Sequence, residues 1–179
     1  MKVIVSHITC DKSASRFGLM ADSAILFSPR PLFVPDWLGQ PVLTPALAVR
    51  ISRQGKCIER RFATRYWDAA TAAFIVGGHD GDTLSTSFDG ALMLGDMVGH
   101  SDSPTMTVTV TAGGRQPVDF PLDNAPEIIG HEIAAVSQRM TWKTGDLLCL
   151  TLPGQMPTEP GQHLHADCNG TSCLDINIK

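Results

Sequence analysis

Seven consecutive residues, Thr105-Met106-Thr107-Val108-Thr109-Val110-Thr111, constrain this chain more than any other stretch. Threonine alternates with an apolar residue throughout, a period of two that suits an extended strand with one wet and one dry face. Ala112-Gly113-Gly114-Arg115 follows with the composition of a tight turn, so the strand doubles back on a neighbour. Met1–Ser6 reads as a short buried strand. Asp22–Phe33 holds two apolar runs parted by Ser28-Pro29-Arg30-Pro31. Leu47–Ile51 is strand-like, and Arg53-Gln54-Gly55-Lys56 predicts a hairpin turn before Cys57-Ile58. Asp146–Leu152 and Leu174–Ile178 complete the strand set.

Two segments read as helices. From Arg60 to Phe74, the residues Phe62, Tyr66, Ala69 and Ala73 recur at spacings of three or four, and Gly77-Gly78 stops the run. Asn124 is placed as an N-cap, with Pro126 in the first turn and Glu127 at the positive end of the dipole. Ile129, Ile133, Val136 and Met140 form this helix's apolar stripe, and Lys143-Thr144-Gly145 ends it. Strands outnumber these isolated helices, which predicts an α+β, mostly β domain and not a βαβ sheet.

A chain of 179 residues, 43% hydrophobic and 18% charged, has the composition of a globular protein. No linker, charge block or repeat divides it, so residues 1–179 are read as one domain. A net charge of -4 with scattered Lys and Arg offers no face to nucleic acid. Arg60, Arg61 and Arg65 cluster, but Glu59 and Asp68 flank them, as on a solvated face. The apolar run at Met1–Ser6 is too short for a secretory signal, and no run reaches the roughly 18 apolar residues of a membrane span. Five cysteines without framework spacing then predict reduced thiols in the cytoplasm.

No nucleotide-binding glycine loop or serine-nucleophile elbow is present. Gly77-Gly78-His79-Asp80-Gly81-Asp82 could hold a cation or move a proton, yet its residue types are equally those of an ordinary turn. His163-Leu164-His165-Ala166-Asp167-Cys168, with Cys173 beyond, has zinc-type ligands. A period of two puts both histidines on one strand face, and no recognised spacing ties them to the cysteines, so a polar strand face is favoured. Cys149 lies in an apolar strand as an inert core residue, and Trp37, Trp67 and Trp142 are too dispersed for a stacking platform.

Several strings occur in an informative order. They are Leu32-Phe33-Val34-Pro35-Asp36-Trp37, then Ala48–Glu59, then Phe62-Ala63-Thr64-Arg65-Tyr66-Trp67-Asp68. Ser87-Phe88-Asp89-Gly90, Ile128–Val136, Thr144-Gly145-Asp146-Leu147-Leu148 and Pro153-Gly154 follow. Their shared order along residues 1–179 resembles the fumarylacetoacetate hydrolase family, particularly its short single-domain bacterial members. The resemblance implies a mixed β-roll with a few short helices, a homodimer, and hydrolysis or isomerisation of acylpyruvates and related oxo-acids. It also implies a magnesium or manganese ion held by a Glu-x-Glu strand and one Asp, because a hard cation needs oxygen ligands to polarise an oxo-enolate.

The chain departs from that pattern at those positions. Alignment on Val49-Arg50-Ile51 places Thr44 and Ala46 at Glu-x-Glu, and alignment on Tyr66-Trp67-Asp68 places Ile75 at the third carboxylate. No acidic residue lies between Trp37 and Glu59, so no shift of register restores the pair. Among substrate contacts, Met20 and Thr86 stand for two lysines and Leu152 for the threonine of a Gly-Thr-Pro loop. His7-Ile8-Thr9-Cys10 replaces a Gly-Arg-Asn-Tyr segment. The expectation is a pseudoenzyme without a metal cofactor, with a residual small oxo-acid-binding or structural role. The alternatives are a remodelled hydrolase or isomerase using His79, Asp80, Asp82 or Asp89, and an interaction module whose cleft has closed over.

Overall fold

The alanine-rich run with helical spacing is a central strand. A computed structural model describes residues 1–7, 16–77, 87–99 and 103–179. In chain order the elements are β1 (Val3–His7), β2 (Arg16–Met20), β3 (Ile25–Phe27), β4 (Val42–Ile51) and β5 (Trp67–Gly77). Next come β6 (Leu92–Leu94), β7 (Val98–Gly99), β8 (Thr105–Ala112), β9 (Val118–Asp123) and α1 (Ala125–Ser137). The chain finishes with β10 (Leu147–Thr151), β11 (Met156–Pro157), β12 (His163–Cys168) and β13 (Thr171–Asn177).

Only Arg60–Tyr66 of the expected first helix is helical, as a 3-10 segment, and β5 takes the rest. Alanine favours helices intrinsically. Here both faces of β5 are buried, so no polar alternation exists to betray the strand. The expected hairpin at Arg53–Lys56 is also corrected. β4 pairs not with Cys57-Ile58 but with β5, across the whole connection from residue 52 to 66. Gly55 instead exchanges backbone hydrogen bonds with Trp142, at 3.1 and 2.8 Å. A side chain at position 55 would run into the Tyr66 ring, 2.5 Å from an added Cβ. Trp142, fully buried, ties this corner to α1 by donating its indole N–H to the Ile133 carbonyl at 3.0 Å.

A larger sheet has the order β2-β1-β10-β4-β5-β6-β3, with β11 beside β4 and β7 beside β5. A smaller one has the order β13-β12-β8-β9. The Thr105–Thr111 strand is as expected: Met106, Val108 and Val110 are buried, and the threonines are half-exposed. Thr105 and Thr109 donate hydrogen bonds to the cross-strand carboxylates Asp123 and Asp119 at 2.9 and 2.7 Å.

One face of the larger sheet meets α1 and the smaller sheet in the main core. Ile4, Leu47, Val49, Phe74, Val76, Leu148 and Leu150 pack there with Ile129, Ile133, Val136, Val108, Leu164 and Ile176. The α1 stripe is therefore as read, except that the helix ends at Ser137 and leaves Met140 beyond it. Asn124 sits at the N-cap in a left-handed conformation without a side-chain capping bond. No helix among the described residues is long and apolar enough to cross a membrane.

Candidate functional site

The opposite face of the larger sheet carries Thr44, Ala46 and Ile75, the positions that the resemblance aligns with its metal carboxylates. Residues directly opposite in a sheet point to the same side. Thr44 stands opposite Ile75, and Ala46 opposite Ala73. Ile75, remote along the chain from Thr44 and Ala46, is thus their neighbour on one face. β10 adds Cys149 opposite Ala48 and Thr151 opposite Ala46. β1 adds Val5 and His7 alongside them, and β2 adds Met20 opposite Val3 and Arg16 opposite His7. β6 closes the other side with Leu92 opposite Ile75 and Leu94 opposite Ala73.

Most of this face is hydrocarbon. Met20, Ala46, Ala48, Ala73, Ile75, Leu92, Leu94, Leu147 and Cys149 form a second buried cluster with Val3 and Val5, flanked by Phe88 and Met97. Ala46 is 0% exposed and Ile75 7%. Burial pushes the Cys149 thiol up to about 12, so it is a protonated thiol at neutral pH and not a ligand or nucleophile. A hard divalent cation requires several oxygen ligands, with carboxylates among them. Thr44 offers one neutral hydroxyl, while Ala46 and Ile75 offer none. The residues present do not fit the magnesium or manganese ion that the resemblance implies. Among the described residues, no three of His, Cys, Asp and Glu are grouped to hold a metal.

The remaining sequence-derived positions separate. Leu152 is buried in the main core on the other face, its N–H bonded to the Pro45 carbonyl at 2.8 Å. Asp89 is exposed in the turn at 87–90, beside Phe88, whose ring meets Trp37 edge-on at 5.4 Å. His79, Asp80, Asp82 and Thr86 lie outside the described residues.

The histidine pair is a polar strand face. His163 contacts Asp175 at 2.7 Å and His165 contacts Asp167 at 3.2 Å, while Cys168 and Cys173 are buried. Imidazoles on the outer side and thiols on the inner side of β12–β13 cannot converge on one ion. Hydrogen bonding from His163 holds the Asp175 carboxyl below the ordinary range. The arginine cluster is solvated, with Arg60 paired to Glu127 at 2.6 Å and Arg61 to Glu59 at 2.8 Å.

Two features escaped the sequence reading. Glu132 is 3% exposed on α1, accepts a hydrogen bond from the Ser6 hydroxyl at 2.7 Å and lies 2.9 Å from His131 Nδ1. Its signal was the spacing 129-132-133-136, which puts Glu132 on the inward stripe. The other is the pairing of His7 with Arg16 across β1 and β2. Alternation through Val3 and Val5 carries His7 onto the candidate face, but its cross-strand neighbour depends on a register that composition does not encode.

Comparison with solved structures gives the fold. The chain superposes on 5-carboxymethyl-2-hydroxymuconate delta-isomerase from Mycobacterium smegmatis with a TM-score of 0.87 at 20% identity, covering 99% of this chain and 78% of that one. A Yersinia pestis protein assigned to the fumarylacetoacetate hydrolase family gives 0.83 at 19%, covering 99% and 92%. Fumarylpyruvate hydrolase from Pseudomonas aeruginosa, solved with Mn2+ and pyruvate, gives 0.84 at 15%, covering 99% and 89%. No family model and no curated protein matches the sequence.

Proposed function

We propose that this chain, which has the fumarylacetoacetate hydrolase fold, is a divergent member of that family that keeps the scaffold without the metal-dependent chemistry. The observation that carries the reading is the clustering of Thr44, Ala46 and Ile75 on one sheet face, continuous with buried hydrocarbon. A site retargeted to another charged or polar reaction centre would need buried polar groups with partners. Around positions 44, 46 and 75 this face holds instead Met20, Leu92, Leu94 and Cys149, with Thr151, His7 and Arg16 confined to one end. The retained role is the binding of a small oxo-acid or a structural one, in a homodimer as the resemblance implies.

An acylpyruvate hydrolysis assay with added Mg2+ or Mn2+ tests the reading. The expected result is no acceleration over the protein-free reaction. Turnover at an ordinary enzymatic rate, about 1 s⁻¹ or faster, overturns it. Abolition of that turnover by EDTA would identify a metal mechanism. Persistence in EDTA would instead favour a remodelled acid–base site.

A further inference from the structure

We draw no further inference here: the strongest candidate, the open groove of about 350 Å³ between the 3-10 segment Arg60–Tyr66 and α1, has a floor of Ile58, Ala134 and Ala135 and a rim whose Glu59, Arg60 and His131 already have partners, and nothing in the structure shows what covers it.

Discussion

Restoring the carboxylates by Thr44→Glu, Ala46→Glu and Ile75→Asp together should cost at least about 5 kcal/mol of stability in EDTA. Ala46 and Ile75 are buried in hydrocarbon, and position 44 lies directly opposite 75. Three anions there would lose hydration and repel one another. A domain of this kind has only about 5–15 kcal/mol to lose, so the variant should sit at or beyond the edge of unfolding. The same variant should be rescued by Mg2+, because an ion bound only to the native state stabilises it in proportion to ln(1 + [L]/Kd). Thermal unfolding with and without 10 mM Mg2+, about a hundredfold above a Kd of roughly 0.1 mM, measures both effects. A variant that loses stability but gains none from Mg2+ would show that positions 44, 46 and 75 do not frame a coordination shell. Little loss in EDTA would show that the face is wetter than its burial indicates.

Asp146→Ala should cost about 3 kcal/mol at neutral pH, the range for breaking a buried hydrogen-bonded charge pair. Asp146 is 1% exposed where β10 begins. Its carboxylate pairs with the Lys2 ammonium and accepts the Lys2 and Lys143 backbone N–H groups, each at 2.8 Å. Burial by itself would raise this carboxyl, but those hydrogen bonds and the Lys2 charge outweigh it and hold it below the ordinary range. With the folded value depressed, the stabilisation is fully present above the unfolded carboxylate value of about 3.9. It is lost as pH falls through the lower folded value. Urea unfolding across pH should therefore show a wide gap between wild type and variant at pH 7, closing below about pH 4. A gap of constant size down to pH 2.5, well under that carboxylate value, would mean the contribution is packing and not charge.

Much of the architecture was legible because particular strands have one wet face. Thr105–Thr111 declares itself by alternation, and the α1 stripe by its 3.6-residue period. β5 was hidden for the opposite reason. Buried on both sides and rich in alanine, it has no period of two, and Ala69 and Ala73 continue by chance the spacing of Phe62 and Tyr66 in the 3-10 segment before it. The hairpin at Arg53–Lys56 failed because Gly55 turns toward Trp142, a partner from the far end of the chain. The candidate site was legible only through the family resemblance. Composition carries no sign that Thr44 and Ile75 are cross-strand neighbours. Register also separates Leu152 from the other altered positions: one residue beyond Thr151, it turns to the main core. Arg16 and His7 could not be paired before β1 and β2 were aligned.

The most direct measurement for the central claim is a calorimetric titration of the wild-type protein with Mg2+ and with Mn2+. No saturable heat at micromolar affinity is expected, because Thr44, Ala46 and Ile75 together offer one neutral hydroxyl and no carboxylate. A single saturable site of micromolar affinity, retained when the exposed Asp89 is changed to Asn, would contradict it.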